Sequence, residues 1–170
     1  MEQVNSKTTR MMLVIFRIFM LLLFFLTVAK SKTHGLSYPN GSYSDMTVKI
    51  SMYNCIFGYS DIYGTISGNG LMKIGFFTNI ALIILGCIFI AKPNNKISIA
   101  SIILSIVTAI GLSPIGVYAG IKEYNRTAAS GYYYNHAIKI SGAGMFLFLF
   151  IVILIIEIVG HYYFIKEQKK

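Results

Sequence analysis

The chain has 170 residues, of which 55% are hydrophobic and only 12% charged, and it carries a net charge of +9. Soluble domains hold roughly a quarter charged residues, and a core built from a chain of this length cannot hide so much apolar surface. An ordinary water-soluble globule is therefore excluded, and the basic excess forms no stripe with interleaved aromatics of the kind that binds nucleic acid.

The apolar residues are gathered into runs. A basic start, Lys7 and Arg10, leads into residues 11–29, which hold a single charge, Arg17. This run ends Thr27-Val28-Ala29, which resembles a signal-peptidase site. Its length and the internal Arg17 favour a retained span. Residues 74–91 and 97–120 hold no charge, and residues 145–165 hold one acid, Glu157, and one histidine, His161. Crossing a bilayer takes about 20 residues of helix. Only helices and closed barrels satisfy their backbone in lipid, and barrel strands would not give unbroken apolar runs. The expected fold is an all-α membrane protein, a four-transmembrane-helix bundle with helices at about 11–29, 74–91, 97–118 and 145–165. The whole chain, 1–170, then forms a single integral membrane domain with outer loops 30–72 and 121–144.

Charge sets the orientation. Lys7, Arg10, Lys92, Lys96, Lys166, Lys169 and Lys170 crowd the short segments on the side of the termini. The seven basic residues of the other side are spread through the long loops, which also hold Asp45, Asp61 and Glu123. Dense basic flanks predict cytoplasmic termini and outward-facing long loops, in a plasma membrane. Both N-x-S/T sequons, at Asn40 and Asn125, fall in those loops. Cys55, in the first outer loop, and Cys87, near the inner end of the second helix, are expected too far apart for a disulfide.

Residues 66–70 read ISGNG and residues 140–144 read ISGAG, each leading into an apolar run. The match extends to Tyr59/Tyr133, Asp61/Asn135, Gly86/Gly160 and Lys92/Lys166. One reading is a tandem repeat of two helical hairpins about an axis along the membrane normal. The other is convergence, because Ser caps a helix start and Gly permits a sharp turn into it.

The outer loops concentrate tyrosine. Tyr43, Tyr53, Tyr59, Tyr63, Tyr132, Tyr133 and Tyr134 form a candidate interaction surface, since tyrosine gives contact area at low entropic cost. They serve equally as a small core for the loops. The stretch TVKISMY (47–53) alternates like a half-buried strand, and residues 60–66 and 136–140 are further short strands, with turns near Gly41 and Gly58. A lone hairpin is marginal in water, so both loops are expected to share one small extracellular β-sheet.

Charges inside a membrane mark function by default. Arg17 lies seven residues past Arg10, and Glu157 lies nine before Lys166, so on antiparallel helices both reach similar depth. Arg17 and Glu157, with His161 one turn on, are the expected intramembrane polar pair and its neighbour. They read as a structural tie between the first and last helices, as a proton or ion relay, or as Arg17 snorkelling alone. Ser98, Ser101, Ser105 and Thr108 recur at helical spacing, as small residues do where helices pack closely. Asn79 is expected to hydrogen-bond a neighbouring helix. The histidines are not spaced as metal ligands, and no nucleophile–base pair emerges. The chain is therefore expected to be no enzyme and to use no cofactor or metal.

Four spans, a long first outer loop with strands, a short inner connector and a shorter second outer loop resemble the claudin-like tetraspan arrangement. The resemblance covers topology alone: this chain has no Trp and one Cys in its first loop, where claudins carry a Trp and a Cys pair. The functional expectation is a tetraspan protein whose Tyr-rich loops contact another membrane protein or a second copy of itself as a homo-oligomer. The alternative is a small channel or transporter using Arg17, Glu157 and His161.

Overall fold

The computed structural model describes residues 7–37, 43–61, 64–129, 139–140 and 144–167. They are mostly helical. In chain order they form α1 (Lys7–Leu23), β1 (Thr27–Ser37), β2 (Tyr43–Ser51), α2 (Met52–Phe57), β3 (Tyr59–Ser60), β4 (Thr65–Ile66), α3 (Gly70–Ala91), α4 (Asn95–Gly111), α5 (Pro114–Ala129), β5 (Lys139–Ile140) and α6 (Gly144–Glu167).

Among the described residues, Gly70–Ala91 and the near-continuous stretch Asn95–Thr127 are long and apolar enough to cross a membrane. Only 22% and 33% of their apolar windows are buried within the protein. A soluble core helix would be buried all round. These helices instead turn Ile74, Phe77, Ile84, Ile103, Ile106 and Ile110 outward, as lipid-facing helices do.

Helices α1, α3, α4 and α6 pack side by side in a ring, with α1 also touching α6. The closest approach is between α3 and α4. A Cβ on Gly75 would lie 2.8 Å from the Gly111 backbone, and one on Gly111 would lie 2.6 Å from the Gly75 Cα. Two facing glycines let the backbones touch, which is how helices adhere where water provides no drive.

Three element boundaries differ from the sequence expectation, each for a local reason. The first helix ends at Leu23 rather than near 29, because β-branched Thr27 and Val28 enter a sheet, with Thr27 opposite Ser51. The strand that begins before Thr47 stops at Ser51. There the Ser51 and Asn54 side chains cap one another's backbone at 3.2 Å and start α2. The expected single helix over 97–118 is broken at Leu112-Ser113, since Pro114 has no N–H to continue α4 but suits the first position of α5. Helix α5 then runs to Ala129, through residues expected as loop.

The sheet order is β2-β1-β5, all antiparallel. It joins strands from both long inter-helix segments. The pair β3-β4 is separate. The turn expected near Gly41 lies outside the described residues. Gly58 ends α2 with φ 104°. Ile66 and Ile140 each close a two-residue strand, and Gly70 and Gly144 each open a helix four residues later. The two related phrases thus perform the same strand-to-helix passage, although their strands pair differently. In the first, Gly68 adopts φ 81°, and a Cβ there would sit 2.8 Å from the Phe57 carbonyl carbon. Asn69 then caps α3, accepting from the Leu71 N–H at 2.9 Å.

A core cluster of buried apolar residues lies at the sheet end of the helices. Met20, Phe24, Met72, Leu112, Phe150 and Leu154 meet Ile50, Cys55, Ile56, Ile66 and Tyr124 there.

Candidate functional site

At mid-height the ring encloses a polar layer. Arg17, 1% exposed, is directed inward from α1. Its Nη1 donates to Asn79 Oδ1 of α3 at 2.7 Å, and its Nη2 donates to Ser105 Oγ of α4 at 3.1 Å. The same Nη2 pairs with the Glu157 carboxylate of α6. One guanidinium therefore touches the other three helices. Its planar fork of five donors makes this possible, where an ammonium would supply a single point charge.

Two further bonds extend the layer along α4. His161 Nδ1 and Ser98 Oγ lie 3.2 Å apart, joining α6 to α4. Thr78 and Thr108 join α3 to α4 through their hydroxyls at 2.8 Å. Ser98, Ser101, Ser105 and Thr108 are all buried. The serine stripe is thus close packing and, at Ser98 and Ser105, a source of partners for the ionisable groups.

The structure brings Arg17 and Glu157 into contact and sets His161 one turn beyond, bonded to Ser98 rather than to the pair. Buried charge of opposite sign in contact is neutral overall. Toward the sheet, Met20, Phe24, Leu154 and Phe150 close over it. Toward the chain termini lies a cavity of about 70 Å³ lined by Arg10, Arg17, Glu157, His161 and apolar side chains of α1, α3 and α6. Among the described residues, Arg10 Nε, Arg17 Nε and Asn79 Nδ2 are buried without a hydrogen-bond partner. Arg10 also stacks over Phe89, 5.5 Å from its ring centre. Sequence reasoning assigned Arg10 to the headgroup flank alone. Its place in the cavity wall follows from helix packing, which leaves no mark in the local pattern.

At the sheet end, a second set of polar contacts fastens β3 and β4 to α5. Tyr124 is fully buried and donates to the Asp61 carboxylate at 2.8 Å. Asp61 also accepts from the Gly64 N–H at 2.8 Å and the Tyr59 hydroxyl at 3.0 Å. Burial, with the bond to Asp61, raises the Tyr59 phenol above its ordinary range. Glu123 accepts from the Ser67 N–H at 3.0 Å and hydroxyl at 2.5 Å. The Thr65 N–H donates to Thr127 Oγ1 at 2.8 Å. Cys55 is buried against Gly120, and burial pushes its thiol up to about 12. Neither Cys55 nor Cys87 is bridged.

The tyrosines expected at an interaction surface divide. Tyr53 is exposed and stacks on Phe25 at 5.3 Å between ring centres. Tyr59 is half-buried and bonded inward. Tyr43 opens β2. Tyr63, Tyr132, Tyr133 and Tyr134 lie outside the described residues. Missed in the sequence were Tyr124, Glu123 and Thr127, whose spacing along one helix face shows only once 121–129 is known to be helical. Among the described residues no group of three or more His, Cys, Asp or Glu could hold a metal ion. No protein family, curated protein or solved structure matches the chain.

Proposed function

We propose that the chain is a non-enzymatic tetraspan integral membrane protein that holds a folded cap against a partner outside the cell. In this reading α1, α3, α4 and α6 cross the bilayer, the termini are cytoplasmic, and the sheet end faces outward. The observation that carries it is the fastening of the cap to α5. Helix α4 alone, 17 residues or about 25 Å, comes close to a hydrocarbon core of about 30 Å. Beyond the break at Leu112-Ser113, α5 then stands at the membrane face as a post, and Asp61, Thr65 and Ser67 are bonded to that post. A rigid surface loses little entropy on binding.

The chemistry of the cap supports an acidic partner. Asp61 and Glu123 are engaged in internal bonds. Lys30, Lys49, Lys122 and Arg126 are exposed. The sheet register sets Lys49, Lys30 and Lys139 in one cross-strand row. Like charges directly opposite one another are destabilising, and an anionic surface laid on them relieves that. The partner is another membrane protein with an acidic outward face. Cross-linking on intact cells tests it: a photo-cross-linker at Lys49 captures a defined protein, and Lys30→Glu with Lys139→Glu abolishes capture. Capture unaffected by that charge reversal contradicts the reading.

A second reading, a small channel or transporter using Arg17, Glu157 and His161, is favoured by the cavity that reaches the ion pair from the terminal end. Ion flux in liposomes that Glu157→Gln abolishes would establish it in place of the first.

A further inference from the structure

The cavity at the terminal end has a composition that the helix clamp does not explain. Its polar lining consists of Arg10, Arg17, Glu157 and His161. Among the described lining residues Arg17 and Glu157 cancel, which leaves Arg10 as a cation with no acid opposite it. Two guanidinium N–H groups, Arg10 Nε and Arg17 Nε, are buried and unpartnered among the described residues. Both belong to cavity-lining side chains of the same helix, about 10 Å apart along its axis. The unmet need is for an acceptor carrying negative charge.

The walls state what else the ligand must tolerate. Leu13, Val14, Leu82, Phe89, Ile156 and Phe164 are apolar. Ile156, in the α6 wall of the cavity, is 55% exposed, so this wall reaches the outer surface of the helices, which in a bilayer faces acyl chains. Arg10, in the second turn of α1, sits at headgroup depth, and Lys7, Lys92, Lys96 and Lys166 are exposed at the same end of the helices. A space of about 70 Å³ accepts a phosphate group or a few waters, not a whole lipid.

We infer that this cavity seats the phosphate of an anionic phospholipid from the leaflet nearest the chain termini. Arg10 and Arg17 donate to the phosphate oxygens through their free Nε–H groups, and the acyl chains lie outside against the α1–α6 seam. Basic pockets between spanning helices recognise anionic headgroups in this way. The site is separate from the outward cap, and it stands whether or not the cap binds a partner.

Native mass spectrometry of the protein released from mixed phosphatidylglycerol–phosphatidylcholine nanodiscs tests it. The expected result is one phosphatidylglycerol retained at least about fivefold over phosphatidylcholine, the effect of one basic group near an anionic headgroup. Arg10→Gln should lose the preference. Gly160→Leu should lose it too by filling the space: Gly160 lines the cavity, and a Cβ there meets nothing within 4 Å. Lys122→Gln, on the cap, should leave it unchanged. Equal retention of the two lipids overturns the inference, as does a preference that survives both Arg10→Gln and Gly160→Leu. Soluble glycerol phosphate that displaces the bound lipid at equal concentration overturns the assignment to a lipid.

Discussion

The two ends of this molecule are held together by opposite means, although the same helices run through both. At the terminal half the helices meet through a guanidinium, a carboxylate, an amide and a row of hydroxyls. At the sheet half they meet through Met20, Phe24, Met72, Leu112 and Phe150, and the polar bonds there lie between cap and helix. On the proposed membrane-spanning reading, the difference follows from the surroundings. Between helices in lipid, hydrophobicity gives no preference for one rotation over another, and a single set of directional bonds can fix it. Where short strands and a one-turn helix must stay on a helix end in water, apolar burial supplies the drive and a few hydrogen bonds set the register.

The sharpest way to break this comparison is to remove one member of the clamp. Arg17→Leu or Glu157→Leu leaves a buried charge unpaired and should cost about 3–5 kcal/mol, read as loss of folded protein in detergent thermal melts. Arg17→Met with Glu157→Met removes both charges and should recover most of that loss. Recovery would show that the pair fixes helix register more than it stabilises. Next in size is the glycine crossing. Gly111→Leu forces α3 and α4 apart at a contact with no room for a side chain, and overpacking of this kind costs about 1–3 kcal/mol.

On the cap side the effects are smaller and local. Tyr124→Phe removes the buried donor to Asp61 and should cost about 1.5–3 kcal/mol, the range for a hydrogen bond to a charged group. It should raise hydrogen exchange over residues 59–66 before it changes the melting temperature of the helices. Smallest is the pH effect of Cys55. Its thiol, ordinarily at 9.0, is raised to about 12 by burial, so the fold favours the neutral form. That contribution is complete below pH 9 and is lost as pH rises toward 12. Alkylation of Cys55 should accordingly be far slower than that of the exposed Cys87 in detergent at neutral pH. Equal rates would place Cys55 at the surface.

Much of the clamp was legible because helix rise converts residue count into depth. Seven residues from Arg10 to Arg17 and nine from Glu157 to Lys166 were enough to bring the pair level, and the period of Ser98, Ser101, Ser105 and Thr108 marked the packed face. The cap was legible only in outline. Residues 24–29 continue an apolar run, which hides the β-branched Thr27 and Val28 that enter the sheet. Residues 121–129 are polar and read as loop, yet they form the post that carries Tyr124, Glu123 and Thr127. The cavity was not legible at all: it forms where side chains of α1, α3 and α6 come together, and Arg10 looks like any headgroup lysine or arginine until that packing is seen.

The central claim is that the cap and the chain termini lie on opposite sides of a membrane. Cysteines placed one at a time at Lys122, on α5 beside the cap, and Lys92, between α3 and α4, in a Cys87→Ser background whose buried Cys55 stays unlabelled, measure this directly with a membrane-impermeant maleimide on intact cells. Lys122→Cys should be labelled at once, and Lys92→Cys only after permeabilisation. Labelling of both from the same side, or of neither without lysis, would contradict the account.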